Sequence, residues 1–179
     1  MIKTWSYKDE YRKYRKTILK SVDKTLLSGD LFFGNQLKKF ESTFVKLNKS
    51  KYGIAVGSGT DALIIALKAL GIGENINDEV ITVSNTAIPT ASAITSAGAK
   101  PVFVDIGKDY LIDTSKIKKA INKKTKAIIP VHLYGQSCEM NKILKLAKEY
   151  KLKVIEDCAQ AQGSKFRNKF VGTFGDFGC

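Results

Sequence analysis

Asp157 and Gln160 stand at the end of a short apolar run, Val154-Ile155-Glu156-Asp157-Cys158-Ala159-Gln160-Ala161. The run has the length and composition of a buried parallel strand. Open α/β sheets bind their ligands at the carboxyl ends of such strands. An ionised aspartate placed there can hold a cationic ring nitrogen. A protonated pyridine is the electron sink that carbanion chemistry needs, so this acid points to pyridoxal phosphate. Glu156 falls on the opposite face by strand alternation, and the two acids do not read as an acid–base dyad.

A second chemical segment is Ile54-Ala55-Val56-Gly57-Ser58-Gly59-Thr60-Asp61-Ala62, which reads as strand, glycine turn and helix. A helix N-terminus exposes unpaired N–H groups and the positive end of its dipole, a ready phosphate site. Ser58 and Thr60 add hydroxyls, and Gly59 lets an anion approach the backbone. Gly57-x-Gly59-x-x-Ala62 also matches the dinucleotide fingerprint. That fingerprint wants an acid after the second strand, where this sequence has Val83-Ser84-Asn85; Asp78 and Glu79 lie at the wrong end. A single phosphate therefore fits better than a dinucleotide, and a structural glycine turn stands as the third reading.

The remaining reactive residues have plainer readings. His132 is the one histidine; it ends an apolar run and reads first as structural, with a substrate or cofactor contact as the alternative. Cys138, Cys158 and Cys179 lack metal-ligand spacing and read as buried reduced thiols of a cytoplasmic protein. Asp105 and Asp176 read as structural. Trp5, Tyr7, Tyr11 and Tyr14 read as packing residues, with a dimer contact as the other reading.

These residues need a scaffold of alternating helices and strands, the pattern of a parallel α/β sheet. The periodicity predicts helices over 8–27, 37–47, 60–70, 85–96, 115–121 and 139–150. It predicts strands over 52–56, 80–83, 101–106, 127–133 and 154–157. Ser28-Gly29-Asp30 ends the first helix, and the nearly all-apolar 60–70 helix is expected to be buried. Asn85 and Thr86 are candidate caps for the 85–96 helix, with Pro89 in its first turn. Residues 165–171 read as a hairpin turning at Arg167-Asn168.

Composition bounds the rest. The chain has 179 residues, 44% of them hydrophobic and 26% charged, which suits a globular protein. No apolar run is long enough to span a bilayer, and the charged N-terminus does not read as a secretory signal. The net charge is +13, but the lysines are scattered and arginine occurs only at 12, 15 and 167. Few bidentate phosphate and base readers are therefore present, which argues against nucleic acid as a partner.

Taken together, several segments resemble one family. They are Ser28-Gly29; Gly57 to Leu63; Asp78-Glu79-Val80-Ile81-Thr82; Asn85-Thr86; Lys126 to Gln136; Val154 to Ala161; and Val171 to Asp176. In order and over nearly the whole chain, they are similar to the DegT/StrS family of pyridoxal phosphate-dependent nucleotide-sugar aminotransferases. The resemblance implies a three-layer α/β/α architecture, the large domain of a fold-type-I transferase. Residues 1–50 would supply N-terminal helices and 51–179 the sheet part, with no C-terminal small domain in this sequence. It implies a homodimer that moves an amino group from glutamate or glutamine to a keto sugar on a nucleotide. Carried over by position, Asp157 would meet the pyridine nitrogen and Gln160 the ring hydroxyl. Ser58, Gly59 and Thr60 would hold the phosphate.

Two departures from the family pattern carry expectations. Ala87 stands where the family often has an aromatic residue stacked on the cofactor ring. The family's Schiff-base lysine lies a few residues past the position of Cys179. A chain of these 179 residues is therefore expected to be inactive alone. It is also expected to be poorly stable, because the 52–56 strand pairs in the family with strands that follow. A histidine in place of that lysine would instead indicate a keto-sugar dehydratase, and a regulatory cofactor-binding relative is the other alternative.

Overall fold

A computed structural model describes residues 6–179. Trp5 lies outside the described residues. Two helices come first, α1 (Tyr7–Ser28) and α2 (Asn35–Asn48). Gly29, at φ 69°, closes α1 in the left-handed conformation that glycine adopts without steric cost. Neither helix has a buried residue. Tyr11 and Tyr14 are exposed, so the expected packing role is not met within this chain; α1 stands clear of the sheet.

The core begins at α3 (Gly59–Ala69) and continues through β1 (Glu79–Val83), α4 (Ile88–Ser96), β2 (Lys100–Val104), α5 (Thr114–Ala120), β3 (Thr125–Ile129), α6 (Met140–Tyr150) and β4 (Lys153–Glu156). A hairpin of β5 (Lys165–Phe166) and β6 (Lys169–Phe170) follows, then β7 (Phe177–Gly178). The main sheet has the order β2-β1-β3-β4-β7, and every pairing in it is parallel. Past Pro130 the β3 chain rejoins β4 at a single bridge, Val131 to Asp157.

Strand alternation sorts the core into two faces. Val80, Ala127, Ile129 and Ile155 pack with Leu63, Leu67, Ala93 and Ile94 of α3 and α4. Ile81, Val83, Ile128 and Val154 pack with Ile117, Met140 and Ile143 of α5 and α6. The architecture is thus the expected three layers, helices on both sides of a parallel sheet. Because α3 leads back to the start of β1, its first turn lies at the carboxyl edge of the sheet. The first turn of α4, which follows β1, lies at the same edge, as does Asp157.

Three expectations are corrected. Residues 52–56 form no strand. Among the described residues no neighbouring strand takes their backbone hydrogen bonds, and Tyr52 and Ile54 are 75% and 81% exposed. The segment is tied instead to α2, where the Ala55 N–H donates to Glu41 at 2.9 Å. Helix α3 is buried on one side only; Leu63, Ala66 and Leu67 are inside, while Ile65 is 53% exposed. The cap of α4 is Ala87, whose methyl cannot accept a hydrogen bond, and neither Asn85 nor Thr86 serves. Asn85 donates instead to the Tyr110 carbonyl, and Thr86 bonds Thr90.

The hairpin forms as expected. Arg167 and Asn168 both have positive φ, 46° and 67°, the signature of a type I′ turn that suits the strand twist.

Candidate active site

Asp157 is 7% exposed at the end of β4. The backbone around it is paired: its N–H donates to the Pro130 carbonyl at 2.9 Å, and its carbonyl accepts from the His132 N–H at 2.9 Å. Its carboxylate accepts the Thr90 hydroxyl on Oδ2 at 2.8 Å and the Ala159 N–H on Oδ1 at 3.2 Å. No lysine, arginine or histidine pairs with it among the described residues. A buried carboxylate without a counter-charge is costly, and a cationic ligand nitrogen would supply one.

Gln160 is exposed on the loop that follows. Its Oε1 accepts the Tyr134 N–H at 3.2 Å, and its backbone carbonyl accepts the Gly135 N–H at 3.0 Å. With Oε1 so engaged, the amide NH2 remains as a donor, suited to a phenolic oxygen. The same loop is braced by the Ser164 hydroxyl, which donates to the Gly135 carbonyl at 2.8 Å.

Ser58 is the N-cap of α3. Its Oγ accepts the Asp61 N–H at 3.1 Å and donates its proton to Asp61 Oδ2 at 2.9 Å. The first two N–H groups of the helix, of Gly59 and Thr60, find no acceptor among the described residues. Open space faces Gly59, where a Cβ would meet nothing within 4 Å. The first turn thus offers two free donors at the positive end of a helix. Ala87 is exposed where α4 begins, beside Thr86 and three residues before Thr90.

Glu156 points away from Asp157, as strand alternation requires. It is fully buried, and its carboxylate accepts four donors. Oε1 takes the Phe174 and Gly175 N–H groups at 2.7 and 2.9 Å; Oε2 takes the Gly172 N–H at 2.9 Å and His132 Nε2 at 3.1 Å. Burial on its own would raise this carboxyl. His132 and the Gly175, Gly172 and Phe174 N–H groups outweigh burial and hold it below its ordinary 4.5. His132 is equally buried, and its Nδ1 accepts the Cys138 N–H at 3.0 Å. That leaves Nε2 to carry the proton toward Glu156, and the structural reading of His132 is the one the geometry supports. Although His132, Glu156 and Cys158 lie close enough to share an ion, the carboxylate is already saturated by donors.

Asp176 turns back to the start of β4, accepting the Val154 N–H at 2.9 Å and Lys153 Nζ at 3.0 Å. Asp105 pairs with Lys116 on the surface at 3.3 Å. Both are structural, as expected. The three cysteines are free. Burial pushes the Cys138 and Cys179 thiols up to about 12 and the Cys158 thiol higher still. A groove of about 520 Å³, lined in part by Leu144, Lys153, Val154 and Phe174, opens at the amino end of β4, the wrong edge for Asp157. Thr90 and the donors around Glu156 are the site residues that sequence reading missed; only the Thr86–Thr90 spacing of one helical turn hinted at the first.

This three-layer parallel α/β fold, with a buried acid and a helix N-terminus at one sheet edge, is shared with solved aminotransferase structures. The chain belongs to the DegT/DnrJ/EryC1/StrS aminotransferase family, whose model matches residues 12–179. It is 44% identical over 173 residues to a dTDP-3-amino-3,4,6-trideoxy-alpha-D-glucose transaminase of Micromonospora megalomicea subsp. nigra, covering 96% of this chain and 46% of that one. Among solved structures, S. venezuelae DesV in complex with a ketimine intermediate superposes with a TM-score of 0.90 at 36% identity, over 94% of this chain and 45% of that one. The NtdA protein of Bacillus subtilis with bound cofactor PMP matches at 0.84 and 39% identity, over 89% and 37%. The chain spans about half the length of the curated relatives it matches.

Proposed function

We propose that the protein is a pyridoxal phosphate-dependent aminotransferase that moves an amino group, from glutamate or glutamine, to a keto sugar carried on a nucleotide. The observation that carries this reading is the Asp157 carboxylate, buried at the carboxyl edge of the sheet with no cationic partner. Family membership and the relatives above support it. One is a transaminase by name, one was solved with a ketimine intermediate and one with bound cofactor PMP; the dehydratase and regulatory alternatives are not favoured.

When bound, pyridoxal phosphate supplies a protonated pyridine ring that accepts electrons from a carbon losing its proton. Asp157 holds the pyridine N–H and keeps the ring cationic. Gln160 donates its amide to the ring oxygen. Ser58, Gly59 and Thr60 form the phosphate end, with the free N–H groups of Gly59 and Thr60 as donors. Ala87 would lie beside the ring and would offer no aromatic face to stack on it. Residues 1–179 act in this reading as the N-terminal portion of the cofactor-binding domain.

The same reading makes the protein a cytoplasmic homodimer. Free thiols, one of them buried, suit a reducing compartment. Among the described residues, no helix is long and apolar enough to cross a membrane. Exposed Ile18, Leu19, Val22 and Leu26 give α1 an apolar stripe that suits a subunit contact.

The test is cofactor titration of the full-length protein followed by an amine-transfer assay with dTDP- and UDP-keto sugars. Saturable cofactor binding that Asp157→Asn weakens at least tenfold is expected. No cofactor binding by the unsubstituted protein would refute the proposal.

A further inference from the structure

We propose that Thr90 is a positioning residue that fixes the plane of the Asp157 carboxylate toward the cofactor nitrogen. This rests on the reading of Asp157 above. Thr90 lies in the first turn of α4, 1% exposed, and its hydroxyl reaches across 67 residues of sequence to Asp157 Oδ2 at 2.8 Å.

The direction of the hydrogen bonds follows from proton supply. A hydroxyl has one proton. Asp157 is acceptor-only when ionised, so the Thr90 proton goes to it. The 2.8 Å contact between the Thr86 and Thr90 hydroxyls then runs the other way, with Thr86 donating to Thr90. The result is a directed chain, Thr86 to Thr90 to Asp157.

The chain matters because an aspartate carboxylate rotates in a broad well about its last bond. One donor on one oxygen would leave that rotation open. Thr90 holds Oδ2 and the Ala159 N–H holds Oδ1, so the two donors define the plane. Each oxygen keeps a lone pair, and the plane decides where it points. Valine has the shape of threonine and would fill the same space. A buried hydroxyl in place of a methyl is costly unless bonded; here one bond is donated to the carboxylate and the other is received from Thr86.

The test uses full-length apoprotein titrated with pyridoxal phosphate and with its 1-deaza analogue, which has a C–H in place of the ring nitrogen. Thr90→Val is expected to weaken pyridoxal phosphate about tenfold and to leave the deaza analogue within about twofold. Thr90→Ser, which keeps the hydroxyl, is expected to bind both as the unsubstituted protein does. Equal losses for the two ligands, or no loss for either, would overturn the assignment, since a packing defect cannot sense the ring nitrogen. Asp157→Asn is run alongside. If it fails to separate the two ligands, the Asp157 reading itself is wrong and the Thr90 role falls with it. If it separates them and Thr90→Val does not, only the Thr90 role fails.

Discussion

Glu156→Gln is the sharpest test of how the site is built. The carboxylate accepts four donors, two on each oxygen, at 2.7 to 3.1 Å, and none of it reaches solvent. Glutamine keeps the shape but replaces one acceptor oxygen with an NH2. If the NH2 takes the Oε1 position, it faces the Phe174 and Gly175 N–H groups. If it takes the Oε2 position, it faces the Gly172 N–H and the His132 Nε2 proton. His132 can relieve the second case only by moving its proton to Nδ1, which strands the Cys138 N–H. Either way two buried donors lose their acceptor, at about 1–3 kcal/mol each. A loss of about 3–5 kcal/mol in unfolding free energy is expected, the range for breaking a buried charge network.

Urea unfolding of the full-length protein measures the loss, and its pH dependence gives a second signature. The Glu156 carboxyl lies below its ordinary 4.5 in the folded state. Its contribution is therefore complete above the unfolded value and is lost as pH falls through the folded one. The parent protein should lose stability below about pH 4.5 more steeply than Glu156→Gln, which has no proton to take up there. A loss under about 1 kcal/mol, or parallel acid limbs, would refute the four-donor account.

Two further outcomes are expected. Ser58→Ala removes the cap of α3 and should lower stability by about 1 kcal/mol, read as a shift in denaturant midpoint at unchanged slope. Cys138 should resist alkylation by iodoacetamide at pH 8 in the native protein and react once it is unfolded, as peptide mass mapping would show. Burial and a thiol pushed up to about 12 leave almost no thiolate; rapid native labelling would contradict that environment.

What was legible in the sequence was local. Asp157 announces itself by ending an apolar run, and the α3 turn by glycines beside hydroxyls. The Arg167-Asn168 turn was readable because Asn168 is a residue type that tolerates positive φ. Thr90 was not, because its meaning lies in a contact with a residue 67 positions away, and a threonine in a first helical turn has no local mark. The four donors on Glu156 lie 16 to 24 positions away, again beyond any local pattern. Residues 52–56 misled for a related reason. Their apolar alternation is a strand pattern, but a strand exists only where a neighbour takes its hydrogen bonds, and alternation carries no information about the neighbour.

Glu156 and Asp157 also guard the alignment of β4. A slip of one residue in a strand exchanges its two faces. A slip in one direction would put the longer acid opposite Thr90 and Ile155 opposite the Gly172–Gly175 turn; a slip in the other would put the shorter acid opposite that turn and Cys158 opposite Thr90. In the first case the α4 side receives a side chain one methylene too long and the turn loses its acceptor; in the second the turn's acceptor is one methylene too short. Each face thus rejects the misaligned chain on its own. Two neighbouring acids of unequal length serve as a proofreading mark, and the strand that carries the ligand-facing carboxylate can be threaded in one way.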